Sequence, residues 1–157
     1  MAKKMAEANN LYLLKAKCLE RMASVHLATD DSYYALKLYY ESLPIFEKLN
    51  YKTGMARVYN IIGVYKTETG RYDTAEIVFK NTIRLIENDS ANAELINLKG
   101  NLAYLYESTG RLKEAADIYR QLEEDLISSN DSINLPVIYY NYAMLLQQSE
   151  SNQQGMQ

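Results

Sequence analysis

A sequence repeat with a period of 40 residues constrains the fold of this chain more than any other feature. The stretch Asn60–Ala75 returns as Gly100–Ala115, and a weaker copy precedes it at Glu20–Ala35. Several columns keep this register without an insertion: Ala23, Gly63, Ala103 and Ala143; Ala35, Ala75 and Ala115; Tyr39, Phe79 and Tyr119; Asn10, Asn50, Ser90 and Asn130. Columns that share one register predict a repeat architecture whose units stack on their neighbours.

Each repeat unit contains two segments in which apolar residues recur at helical spacing. The polar column predicts an N-cap before the first segment. Gly70 and Gly110 mark the break between the segments, because glycine readily adopts the left-handed conformation that ends a helix. We predict first helices over Leu11–Ala28, Tyr51–Thr69, Ala91–Thr109 and Ser132–Ser149, and second helices over Ser32–Leu49, Asp73–Glu87 and Leu112–Ser128. Pro44 removes a backbone hydrogen bond within its helix, so we expect a kink near Tyr40–Leu43.

The columns of small residues have a packing explanation. Alanine and glycine let the backbones of two paired helices approach closely, and the aromatic column one turn later fills the space beside them. Ala75 and Ala115 are therefore predicted contacts between paired helices. A larger residue at Ala115 should destabilise the fold much more than a change at Arg111 in the adjacent turn. Such a pair cannot cover its own apolar face, so neighbouring pairs must stack.

Composition excludes several classes of protein. Hydrophobic residues make up 48% and charged residues 24% of the 157, which suits one globular domain. A net charge of −3 disfavours a nucleic-acid partner, and no apolar run approaches the length of a membrane span. Cys18 and His26 are the only cysteine and histidine, so an internal disulfide is excluded and neither a metal site nor a cofactor is expected. Because the N-terminal segment lacks the apolar region of a secretory signal, we expect a cytoplasmic location.

The order of small, glycine, alanine and aromatic positions resembles the tetratricopeptide repeat. The family pattern is matched by Ile62, Gly63, Gly70, Tyr72, Ala75 and Phe79, and again by Leu102, Ala103, Tyr106, Gly110, Leu112, Ala115 and Tyr119. The resemblance covers about residues 11–149. It departs from the family in its 40-residue unit, where about 34 is usual, and in lacking the closing proline. The longer unit is similar to variants in kinesin light chain and in bacterial peptide-sensing regulators.

The resemblance implies an all-α, antiparallel helix-pair solenoid that forms a right-handed superhelix of about three and a half repeats. We interpret residues 1–157 as a single domain with units 11–49, 50–89 and 90–129, a terminal helix 130–149 and a frayed tail 150–157. Met1–Asn9 aligns with the end of a second helix. Either these terminal halves cap the stack or the chain is a piece of a longer solenoid. In the second case, faces near Tyr12–Leu14 and Tyr142–Leu146 would be exposed and favour self-association.

The resemblance also implies that the first helices line a concave groove. By helical spacing, the face opposite the packed stripe of these helices carries a set of polar and aromatic residues. We assign the candidate binding residues as Arg57, Asn60, Asn97, Asn101, Tyr104, Tyr140 and Asn141. Asparagine both donates and accepts hydrogen bonds, so a row of them can hold the backbone of an extended peptide. The alternative is that these asparagines are simply tolerated on a solvent-facing helix surface.

Two functions fit this pattern. The first is a protein- or peptide-binding scaffold that recognises an extended segment in its concave groove. The second is a sensory or regulatory segment of a larger bacterial signalling or transcription-regulating protein. An enzyme is not expected, because the chain has neither a catalytic constellation nor a glycine-rich phosphate loop. The expected partner is a protein or peptide, with no nucleic acid and no membrane.

Overall fold

A computed structural model describes residues 2–88 and 93–154 of the chain. These residues form seven α-helices and no strand: α1 (Ala2–Ala28), α2 (Ser32–Lys48), α3 (Lys52–Glu68), α4 (Tyr72–Ile86), α5 (Ala93–Ser108), α6 (Leu112–Ser128) and α7 (Leu135–Gln154). Consecutive helices pack against one another in pairs. The prediction of an all-α chain built from repeated helix pairs is confirmed. No helix within the described ranges is both long enough and apolar enough to cross a membrane.

The chain divides into two compact units, Met1–Ile62 and Gly63–Gln157. In the first unit α1 packs against α2. The first part of α3 completes their core, which consists of Ala16, Ala23, Ala35, Tyr39, Phe46, Val58 and Ile62. The alanines on the facing sides of α1 and α2 are fully buried. Small side chains therefore bring these two backbones together, as the repeat columns predict.

In the second unit α4 packs against α5, α5 against α6 and α6 against α7. Its buried apolar side chains include Phe79, Ile86, Leu98, Leu105, Leu122 and Leu145. Phe79 on α4 lies so close to Gly63 on α3 that a Cβ atom added to Gly63 would be 2.5 Å from Phe79 Cε1. The aromatic column thus fills the space that the small-residue column leaves.

One member of the small-residue columns behaves differently. Ala23, Ala103 and Ala115 are fully buried, whereas Ala143 on α7 is exposed. At Gly63 the ring of Phe79 on the following helix α4 covers this column, and among the described residues no helix follows α7. The repeat thus predicts which residue types occur at a position, and the presence of the next helix decides whether that position is buried.

The turns between helices correct the predicted caps. Asp30, Asn50, Gly70, Gly110 and Asn130 all have positive φ, and they recur at multiples of 20 residues. Asn50 and Asn130, which we predict as N-caps, instead follow helices α2 and α6 in the left-handed conformation that ends a helix. Asparagine tolerates this conformation better than most residues. The expected cap Ser90 lies outside the described residues.

The N-terminal boundary is also different from the prediction. Asn10 lies inside α1, which is one helix from Ala2 to Ala28, so the helix start predicted after Asn10 is wrong. The residues before Asn10 include good helix formers and no glycine or proline, so the backbone has no local reason to break there.

The remaining boundaries lie close to the predicted ones, except at α7. This helix begins at Leu135 because the Asp131 carboxylate holds the preceding turn, with Oδ1 accepting from the backbone N–H groups of Ile133 and Asn134 at 3.1 Å. It continues past the predicted end at Ser149 as far as Gln154. Helix α2 runs through Pro44 without a break, and a local kink there stays a prediction.

Candidate functional site

A cleft of about 550 Å³ lies between α5 and α7 in the second unit, and we call it the α5–α7 cleft. One wall is the face of α5 that carries Asn97, Asn101 and Tyr104. The other wall comes from α7, the floor includes Tyr119 from α6, and Asn134 stands at one end. The lining residues are Ile96, Asn97, Gly100, Asn101, Tyr104, Glu107, Tyr119, Asn134, Val137, Ile138, Tyr140, Asn141 and Met144.

The structure brings five of the predicted groove residues together in this cleft: Asn97, Asn101, Tyr104, Tyr140 and Asn141. The other two, Arg57 and Asn60, lie on α3 in the first unit. Helical spacing places the first three of the five on one face of α5. That these residues bind a partner stays a prediction.

The rim of the cleft is aromatic and open. Tyr104 is 57% exposed and Tyr140 is 66% exposed, and Met144 beside them is half exposed. Asn101 and Asn141 lie deeper and are half-buried. Tyrosine offers a large apolar surface with a polar tip, and the asparagine amides can donate and accept hydrogen bonds. The cleft therefore combines an apolar contact surface with groups that can bind a peptide backbone.

The floor of the cleft carries a carboxylate that sequence reasoning missed. Glu107 lies three residues beyond Tyr104 on α5, and its side chain lines the cleft beside Tyr119. Glu107 Oε1 is buried and has no hydrogen-bond partner among the described residues. The extension of the α5 face by one more turn is the sequence signal that could have found Glu107.

Tyr119 contributes a neutral hydroxyl to the floor. Burial raises the pKa of Tyr119 far above its usual value, and hydrogen bonding to the Glu107 carboxylate and its negative charge raise that pKa further. The phenol therefore keeps its proton at neutral pH and acts towards Glu107 as a donor. Sequence reasoning assigned Tyr119 to a packing column, and the structure shows that it serves both the core and the cleft.

In the first unit, Arg57 lines a separate cavity of about 460 Å³ together with Lys17, Glu20, Arg21, Ser24 and Tyr51. Arg57 Nη2 donates to Glu20 Oε2 at 3.0 Å, and Arg57 Nε also donates to Glu20 Oε1. This two-point pairing connects α3 to α1 across a largely buried carboxylate. The Arg57 guanidinium, which we predict as a partner-binding group, is thus paired with a carboxylate of the same chain. Asn60, one turn further along α3, is half-buried.

The lone histidine has a structural explanation. His26 Nδ1 lies 3.1 Å from Asp31 Oδ2, and its ring stacks on Tyr34 at a centroid distance of 5.7 Å. Asp31 also caps α2, where its side chain accepts from the Tyr34 backbone N–H. Within the described ranges, no group of three or more histidine, cysteine or acidic side chains could hold a metal ion. His26 is therefore accounted for by its contacts at the α1–α2 turn.

No family model matches the chain. The chain is 33% identical over 105 residues to "Uncharacterized protein ycf37" of Guillardia theta. The aligned region covers 65% of this chain and 51% of that relative, so the chain spans about half the length of the curated protein it matches. The chain is therefore similar to ycf37 over about two thirds of the length of the chain itself.

Proposed function

We propose that the chain is a tetratricopeptide-like scaffold that binds an extended peptide or an unstructured protein segment in the α5–α7 cleft. The observation that carries this proposal is the cleft itself, in which amide and aromatic side chains of two helices converge on one opening. Amides can hydrogen-bond to the backbone of an extended peptide, and aromatic rings can contact its side chains.

The amides explain how such a segment would be held without regard to its sequence. A peptide backbone presents one donor and one acceptor per residue, and the Asn101 and Asn141 amides supply both functions from opposite walls. Because both asparagines belong to helices packed in the unit core, their positions are set before binding. A pre-formed site loses less conformational freedom when it binds, which favours affinity.

The open rim favours a chain over a small molecule. Tyr104 and Tyr140 are both more than half exposed, so a ligand must extend across the rim to cover them. Aromatic side chains of this kind often dominate binding energy at protein interfaces. The absence of catalytic activity and a cytoplasmic location, both expected from the sequence, belong to this proposal.

The proposal is tested by screening a library of N-acetylated, C-amidated peptides against the chain and then measuring affinity by fluorescence anisotropy. We expect the double variant Asn101→Ala with Tyr104→Ala to weaken binding by more than about tenfold, since the few residues whose truncation costs more than about 1 kcal/mol cluster near the centre of an interface. The matched control is Asn81→Ala with Tyr72→Ala, which removes the same residue types from exposed positions on α4.

Circular dichroism and thermal melting should show that both double variants are folded. Undiminished binding by a folded Asn101→Ala, Tyr104→Ala variant would place the site outside the α5–α7 cleft. Equal losses in the cleft variant and the α4 control would have the same meaning, because the effect would then not be specific to the cleft.

A further inference from the structure

We infer that the α5–α7 cleft selects a segment carrying a lysine or arginine side chain, and that Glu107 receives the cation of that side chain. This inference rests on the proposed function, and it names the chemistry of the partner. It would make the cleft selective for charge, in addition to holding a peptide backbone through amides.

The first support is the charge of the lining. Of the described residues that line the cleft, Glu107 is the only one with a formal charge, and no lysine or arginine lies among them. The floor is therefore acidic, and no cation of the cleft lining competes for the carboxylate. A positively charged ligand group would find a complementary site there.

The second support is the state of the carboxylate. Glu107 Oε1 is buried without a hydrogen-bond partner among the described residues, which is costly for a polar atom and more so for a charged one. Glu20 and Glu76, which also have little exposed side-chain surface, each bind an arginine of this chain. Glu107 differs from them because one of its carboxylate oxygens, Oε1, has no partner among the described residues, and a ligand cation could supply it.

The walls fit the remainder of a long basic side chain. The methylene groups of lysine or arginine can lie along the apolar surfaces of Tyr104, Tyr140 and Met144 while the charged end reaches the floor. A cation close to a tyrosine ring is additionally stabilised by the ring electrons. The Tyr119 phenol keeps its proton at neutral pH, so it adds no second negative charge to the floor.

The experiment compares four versions of one peptide obtained from the library screen. They carry lysine, acetyl-lysine, norleucine or glutamate at one position, and the blocked termini exclude a contribution from a free amine. We expect the lysine peptide to bind about tenfold more tightly than the norleucine peptide, the size expected for one charge-assisted hydrogen bond. Acetyl-lysine should lose this advantage because acetylation removes the charge.

Variants of the chain then assign the effect to Glu107. Glu107→Gln keeps the side-chain shape and should reduce the lysine preference to less than about twofold, whereas Glu107→Asp should retain part of it. The control Glu124→Gln removes an exposed carboxylate of α6 that does not line the cleft and should leave the preference unchanged.

Each outcome has a distinct meaning. Tight binding of peptides with no lysine or arginine preference would overturn this inference and leave the proposed function standing. A lysine preference that persists in folded Glu107→Gln would show that another group receives the cation. Failure of every peptide to bind would overturn both proposals. Should Glu107→Gln not fold, the comparison of lysine with acetyl-lysine on the unchanged chain still decides whether the cleft selects a cation.

Discussion

Arg111 Nη1 donates a hydrogen bond to Glu76 Oε2 at 2.6 Å and thereby joins the α5–α6 turn to helix α4. The same guanidinium binds Glu114 Oε1 at 2.5 Å, and its Cζ lies 4.0 Å from the centroid of the Tyr106 ring. The Tyr106 hydroxyl completes the network by donating to Glu76 Oε1 at 2.9 Å. Three helices of the second unit thus meet at one arginine that the sequence presents only as a turn residue.

We expect this network to make the free energy of unfolding depend on pH in the acidic range. The Arg111 hydrogen bond, with help from Lys80 and Tyr106, lowers the pKa of Glu76 from 4.5 to about 2. Because the folded pKa lies below the unfolded one, the stabilisation is complete above about pH 4.5 and is lost as the pH falls towards 2. Glu76→Gln should therefore destabilise the chain at pH 7 and have a much smaller effect near pH 2.5.

Urea unfolding of the unchanged chain and the Glu76→Gln variant between about pH 2.5 and 7 measures this dependence. The exposed carboxylate of Glu124 provides the control, since Glu124→Gln should change the urea midpoint little at any pH in that range. A difference between the unchanged chain and Glu76→Gln that stays constant across the range would contradict the assigned role of the Glu76 charge.

A second prediction compares the two arginines at equivalent repeat positions. Arg111→Leu should lower the melting temperature clearly, because it leaves the largely buried Glu76 carboxylate without its main partner. Arg71→Leu is the matched control, since Arg71 precedes α4 at the same repeat position but is exposed and makes no side-chain capping bond. Thermal melting, monitored by circular dichroism, measures the melting temperatures of both variants. Equal decreases in melting temperature for the two variants would count against the network. The sequence analysis expects a change at Arg111 to cost much less than a larger residue at Ala115, and the contacts of Arg111 predict a larger cost than a turn position alone would suggest.

The repeat period predicted the helix pairs because it rests on many residues at once, whereas single positions misled the prediction of caps. Asn50 and Asn130 are polar residues between helices, and the same residue type can cap a helix start or end a helix in the left-handed conformation. Only the backbone geometry shows that both do the latter. Asn10 occupies the same column, yet it lies within a continuous helix.

The candidate site was predictable where it depends on one helix and not where it depends on packing. Helical spacing alone places Asn97, Asn101 and Tyr104 on one face of α5. The contribution of Tyr119 requires knowing how α6 packs beneath that face. Likewise, the pairing of Arg57 with Glu20 joins residues 37 positions apart, and no local pattern indicates it.

A third prediction uses the small-residue column. Ala103→Leu should destabilise the fold by about 1–3 kcal/mol, because extra methylene groups in a filled core force the surrounding side chains out of position. Ala143→Leu is the matched control, since it lies in the same repeat column but is exposed on α7. The free energy of unfolding from urea titration gives both values. A loss at Ala143 as large as that at Ala103 would show that burial does not set the cost.

A fourth prediction concerns two glycines within helices. Gly63→Ala should destabilise the chain, because the new Cβ would lie 2.5 Å from Phe79 Cε1 and the ring must move. Gly100→Ala should instead stabilise it by about 0.5–1 kcal/mol, since no atom lies within 4 Å of the added Cβ and alanine favours the helix. Melting temperatures of the two variants should therefore shift in opposite directions. A shift of the same sign in both would refute the packing explanation for Gly63.

The last prediction concerns self-association through helix α1. The face of α1 opposite its contact with α2 carries an exposed apolar stripe at helical spacing, consisting of Leu11, Leu14, Cys18, Met22 and Val25. Its four larger side chains are between 54% and 69% exposed. Exposed apolar rows of this kind tend to associate with one another.

Sedimentation velocity over a range of concentrations should therefore show the unchanged chain associating, and Leu14→Glu with Met22→Glu should shift it towards the monomer. The matched control is Ile77→Glu with Ile127→Glu, which places the same charges at exposed apolar positions on α4 and α6. This control should leave association unchanged, because its two residues do not form a continuous row with each other. If the unchanged chain stays strictly monomeric at high concentration, the α1 stripe does not drive self-association. If the two double variants reduce association equally, added charge alone prevents the association.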